Sequence, residues 1–191
     1  MKNLSLAIVV LLAVSLSGQS SATGKLVVNG KSVDITQAYA YVEMTVEGAK
    51  KTENVVVLLC DAPVPNAAVQ DGYERNKLID ADKLHCVEVM VNSGKKALHY
   101  SVQHKLFGAM MNPGGDDEEH LVDVKTLDSK MIAGRASTKV PQKSWTNDMP
   151  YSYDITFSAP IAPAEPGSRD RSPGVGADSR RPIPRARRTA R

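Results

Sequence analysis

Aromatic side chains, cysteines and long uninterrupted apolar runs are all scarce here. Aromatic residues make up 5% of the chain, with 1 Trp and 2 Phe, and there are 2 Cys. With no C-x-x-C pair, a dithiol redox centre has no place to form. The absence of H-E-x-x-H and of G-x-S-x-G excludes the zinc-protease helix and the nucleophile elbow. No glycine-rich loop precedes a helical pattern, and strands do not alternate with helices, which excludes a phosphate-binding loop and a dinucleotide fold. Beyond the N-terminal stretch, no segment reaches the ~20 apolar residues that a bilayer-spanning helix needs. Lysine is missing from the last part of the chain. Between Thr23 and Ile161 there are 13 Lys and 2 Arg; after Ile161 there are 8 Arg and no Lys.

That last asymmetry redistributes the formal charge of +3. Residues 23–161 carry 15 basic and 18 acidic side chains, a net of −3, and the basic isoelectric point belongs to the tail. A mildly acidic domain argues against nucleic acid as a partner of the folded part. The tail, residues 162–191, is rich in Pro, Gly, Ser and Arg and cannot bury enough apolar surface to fold. It reads as disordered. Its arginines suit an acidic partner, but the abrupt change of basic residue also fits readthrough of GC-rich DNA.

The N-terminus has the three parts of a secretory signal: Lys2, an apolar stretch over residues 4–16, and small residues at Ser20 and Ala22. This predicts a signal peptide over residues 1–22, cleaved after Ala22, and a periplasmic or secreted protein that does not span the membrane once the signal is removed. In that compartment Cys60 and Cys86 are expected to form a disulfide; two buried thiols are the alternative.

What remains is a rhythm of two. Residues 84–104 form two alternating runs around a polar turn, the pattern of a β-hairpin. Val87, Val89 and Val91 fall on one face with Leu98, Tyr100, Val102 and the two histidines His85 and His104. Asn29-Gly30 is the dipeptide of a type I′ turn. Residues 54–60 are apolar on both faces, as in a strand covered on both sides. Residues 37–46 alternate Ala40, Val42, Met44 and Val46 against a wetter Tyr39, Tyr41 and Glu43. Residues 120–127 and 131–138 pair around a turn at Asp128, and residues 151–158 close the set with Tyr151, Tyr153, Ile155 and Phe157 on one face. Residues 66–83 are the one helical stretch. About eight strands at short spacing predict an all-β domain over residues 23–161, an antiparallel β-sandwich or a small β-barrel, with at most one short helix.

Several of these segments resemble an exported bacterial domain family of uncharacterised function. They are the opening GKLVVNGK at residues 24–31, DAPVP at 61–65, the LHCVEV run, IAGR at 132–135 and the closing TFSAPI at 156–161. The resemblance implies export and the domain boundaries, and assigns no site residue.

Candidate sites are few. His85 and His104, on one face of the hairpin and directly opposite or one step diagonal, with His120 as a third, form a candidate metal set suited to zinc or copper. The run Asp116, Asp117, Glu118, Glu119 offers oxygen ligands for calcium, although its spacing is not that of a calcium loop. Ser101 and His99 share a strand face without an evident acid, and Glu88 is a candidate buried carboxyl; the alternative, which the polar Ser101 and Gln103 across from it favour, is a partly wet face. Trp145, Tyr151 and Tyr153 form a candidate ligand surface; alternatively Trp145 folds back over the core. No catalytic or cofactor-binding residue stands out. The sequence favours an exported, non-catalytic binding or interaction module with an envelope or extracellular partner. The alternatives are a metal-dependent or hydrolytic enzyme using His85 and His104, and a structural envelope component.

Overall fold

The computed structural model describes residues 20–47, 50–107, 112–113 and 119–163. The signal stretch up to residue 19, the arginine-rich tail from residue 164, and Asp116, Asp117 and Glu118 lie outside the described residues.

The fold is all-β. Strands β1 (Ser21–Val28) and β2 (Lys31–Ile35) form the first hairpin. Its turn takes positive φ at both Asn29 (50°) and Gly30 (76°), as a type I′ turn requires. β3 (Gln37–Glu47) and β4 (Lys50–Cys60) follow as a long antiparallel pair. Two short helices, α1 (Asn66–Gln70) and α2 (Gly72–Asp80), occupy the helical stretch. They are separated at Asp71, whose carboxylate accepts the Tyr73 amide at 2.9 Å and so caps α2. The central hairpin is β5 (Cys86–Val91) and β6 (Ala97–Gln103). A 3-10 turn at Lys105–Phe107 and a two-residue strand β7 (Asn112–Pro113) come next, the latter inside a segment whose glycines and proline predict no regular structure. The described residues end with β8 (His120–Leu127), β9 (Met131–Thr138), β10 (Gln142–Lys143) and β11 (Pro150–Ala162).

The strands make two layers. One runs β2-β1-β11-β9-β8 and the other β3-β4-β5-β6-β7. The layers join at one corner, where the end of β11 leaves its own layer and pairs in parallel with β3, Ile161 with Ala40 and Ala162 with Tyr41. The sheet does not close into a barrel. The inner faces share one core: Leu26, Ile155, Phe157 and Ile132 from the first layer meet Val57, Leu59, Val87, Val89 and Val102 from the second. Burying such side chains is the main driving force for stacking the layers.

The second layer is covered on its other face too. Leu58, Cys60 and Cys86 point outward and meet Val64, Ala68, Ile79 and Leu84 from the helical excursion. This is why β4 is apolar on both faces, and why Tyr41, on the face expected to be wetter, is buried. Leu98 departs from expectation in the opposite sense. A bulge between Met90 and Val91 sets Met90 opposite His99 and Val91 opposite Ala97, so Leu98 drops out of the inward row and is 49% exposed. Cys60 and Cys86 are directly opposed on β4 and β5, with Cα atoms 4.3 Å apart, and form a disulfide.

Candidate functional site

Just beyond the disulfide the β4–β5 ladder continues for one more rung. The Asp61 amide donates to the His85 carbonyl at 3.1 Å. The Asp61 carboxylate answers twice, accepting the His85 amide at 2.8 Å and the His85 ring Nδ1 at 2.6 Å. On the other side of the ring, Nε2 meets the Asp82 carboxylate at 3.3 Å. Asp82 sits at φ 60°, a left-handed position aspartate tolerates, and Lys105 lies 3.7 Å from its other oxygen. The His104 ring packs against His85 with centroids 4.5 Å apart, and its Nδ1 accepts the Leu106 amide at 3.1 Å.

These contacts fix the charges. The hydrogen bond to Asp61 holds the His85 imidazole above its ordinary value, against the opposing effect of burial. Burial works to raise Asp61, but the bonds from the His85 ring and amide outweigh it and leave the carboxyl below the usual range. Burial, then the neighbouring His85 charge, push His104 down to about 4. The two carboxylates thus favour the charged form of His85, while burial favours the neutral form of the tilted His104 ring beside it. Both His85 nitrogens are engaged by acids of the chain itself, so the ring serves as a clamp at the base of the helical excursion.

The sequence pairs His85 with His104 and the structure brings them together. His120 does not join them. It is buried, with Nδ1 2.7 Å from the Tyr153 hydroxyl, Nε2 3.4 Å from the Tyr151 hydroxyl, and its ring stacked on Tyr100. Burial lowers its pKa as well. Among the described residues no group of three or more His, Cys, Asp or Glu side chains is placed to hold a metal ion. Of the acidic run, Glu119 alone is described; it is exposed, and its carbonyl accepts the Lys139 amide.

Tyr151 and Tyr153 are core residues, so they do not form an open surface with Trp145. Their hydroxyls are turned to His120, which makes burial compatible with a polar tip. Trp145 does the reverse of folding over the core: it is 60% exposed. Its loop is braced. The Asn147 side-chain amide donates to the Leu106 carbonyl at 2.6 Å, Thr146 Oγ1 to the Phe107 carbonyl at 3.4 Å, and the Ser144 and Thr146 hydroxyls bond at 2.8 Å. Leu106 and Val140, on the braced turn and on the segment leading into it, are also exposed. On the outer face of the first layer, Val140 and Pro141 border an open groove of about 240 Å³ with Lys25, Val27, Ser152 and Asp154.

One polar centre has no sequence pattern. Arg75, on α2, is buried against Glu88 with Nη2 2.6 Å from its carboxylate. Nε donates to Gln103 at 3.1 Å, and Nη1 to the Ala68 and Val69 carbonyls at the end of α1. Glu88 is thus a buried carboxyl held by an arginine, and the face it shares with Ser101 and Gln103 is closed rather than partly wet. Ser101, opposite Glu88, is fully buried and its Oγ has no hydrogen-bond partner among the described residues. A buried hydroxyl is not reachable by a substrate.

The chain matches no protein-family model, no curated protein and no solved structure.

Proposed function

We propose that this chain is an exported, non-catalytic module that binds an envelope or extracellular partner through the end of the sandwich bearing Leu106, Val140 and Trp145. The observation that carries this reading is Trp145, a tryptophan 60% exposed on a loop that hydrogen bonds hold against its neighbour. Large apolar surface kept in water by a braced backbone is unfavourable for the isolated domain and favourable once a partner covers it. Preorganised aromatic side chains on loops are the usual anchors of such contacts. The Cys60–Cys86 bridge supports an oxidising compartment. Among the described residues no helix is long and apolar enough to cross a membrane, which is compatible with a soluble exported protein. The resemblance to an exported bacterial domain family points the same way.

The test compares the immobilised full chain with its Trp145→Ala variant in envelope extract. A partner retained by the first and lost by the second, at equal unfolding midpoints, supports the proposal. Equal retention by both refutes it.

A second reading, acid–base or metal-dependent chemistry at His85 and His104, is favoured by the 4.5 Å contact of the two rings beside Asp61. It predicts hydrolysis of an ester, phosphoester or glycoside that His104→Ala abolishes. A panel of such substrates turned over equally by the variant removes it.

A further inference from the structure

Strand β1 begins earlier than the cleavage point suggested by Ser20 and Ala22. Ser21 pairs with Ser158 and Ala22 with Phe157. Ala22 is buried in the core between the layers, and its amide donates to the Thr36 carbonyl at 3.3 Å. One residue earlier, the Ser20 hydroxyl donates to the Ala38 carbonyl. Thr36 is the residue between β2 and β3, and Ala38 is the second residue of β3, at the corner where the chain passes from the first layer to the second. A cut after Ala22 would remove a core methyl group, two rungs of the β1–β11 ladder and both ties to that corner. It would also place a charged α-amino group at Thr23, next to the vacated position.

Two other cuts also place small residues at both positions that the peptidase reads. One follows Ser20, with Gly18 two residues before it; the other follows Ser17, with Ser15. Either leaves Ser21 and Ala22 in the mature chain, and the second keeps Ser20 as well. We propose that signal processing falls N-terminal to Ser21, so that the mature protein retains the whole of β1. This inference rests on the export reading.

The experiment is the intact mass of the protein recovered from the envelope and medium of a bacterial host expressing the full chain. A mature form starting at Ser21 or Gly18 is the expected result. A start at Thr23 overturns the inference and leaves export standing; an unprocessed chain overturns both. A second measurement tests the physical basis. Chains starting at Gly18, Ser21 and Thr23, each running to Arg191, are unfolded in urea with the disulfide intact. The Thr23 form should lose about tenfold in its folded-to-unfolded ratio, as expected for a lost buried hydrogen bond and its rung. Equal midpoints for all three overturn the argument.

Discussion

Replacing Arg75 by methionine takes the cation out of the layer between α2 and the sheet while keeping most of the apolar stem. In the native fold the guanidinium serves four acceptors: Glu88 at 2.6 Å, Gln103 at 3.1 Å, and the Ala68 and Val69 carbonyls at 3.2 and 2.7 Å. Without it, Glu88 keeps the Gln103 side-chain amide at 3.3 Å as its partner, on a face the helices close to water. Removing one member of a buried pair costs about 3–5 kcal/mol, because a charge is left uncompensated. That is a large part of the about 5–15 kcal/mol that holds a domain folded. Changing Glu88 to methionine as well removes the stranded charge. What then remains is the loss of a donor to three acceptors, the Gln103 side chain and the two carbonyls at the end of α1, about 1 kcal/mol each. The double variant should therefore be more stable than Arg75→Met alone, by about 1 kcal/mol, taking the difference between these costs. Urea unfolding with the disulfide intact reads both numbers, provided the denaturant slope stays constant. Two results would refute the reasoning. One is a loss below about 1 kcal/mol for Arg75→Met. The other is additivity of the two substitutions within about 0.5 kcal/mol.

Three further outcomes are expected. The bridge closes a separation of 26 residues, so Cys60→Ala with Cys86→Ala should cost about 3.5 kcal/mol on the loop-entropy model, measured by the same unfolding assay. At the His85 cluster, Asp61 and His104 each contribute an acid-linked loss of stability and His85 an alkaline one. His85, raised above 6.5, stabilises fully below that value, and its contribution disappears as pH rises through its folded pKa. Asp61, lowered below 3.8, stabilises above that value, and its contribution is lost as pH falls through its folded pKa. His104, neutral in the fold down to about 4, makes stability fall as pH drops from 6.5 towards that value; melting temperature against pH for wild type and His104→Gln should diverge in that interval. Gly134 faces the backbone of β8, where an added Cβ would run into the Asp123 carbonyl and meet Val124 Cα at 3.0 Å. Gly134→Ala should cost about 1–3 kcal/mol by overpacking, and an unchanged unfolding midpoint would show that β8 can move away.

Much of the frame is written locally. Asn29-Gly30 specifies its turn, the two-faced apolar run of β4 specifies an interior strand, and alternating valines place β5 against the core. The disulfide follows because both cysteines fall on the outward face of neighbouring strands. What was not legible depends on partners distant in sequence. Arg75 lies in a polar stretch with no apolar stripe, and its role exists because Glu88, Gln103 and the end of α1 converge on it. His120 has the chemistry of a ligand, yet two tyrosines of β11 claim its nitrogens. Tyr151 and Tyr153 read both as a core face and as a binding surface. Their hydroxyls find a partner inside, and burial decides the matter. Leu98 is displaced by a bulge that no alternation pattern encodes.

Strand β11, the last among the described residues, lies in the middle of its layer. It hydrogen-bonds to β1 at one side and β9 at the other, and its tip reaches β3. Until about Ala162 has emerged from the ribosome, the opening strand has no neighbour on its inner side and the two layers have no shared seam. Assembly thus waits on contacts between the two ends of the sequence, a topology that slows folding. The shared core between the layers can close only after nearly all of residues 20–163 have been made.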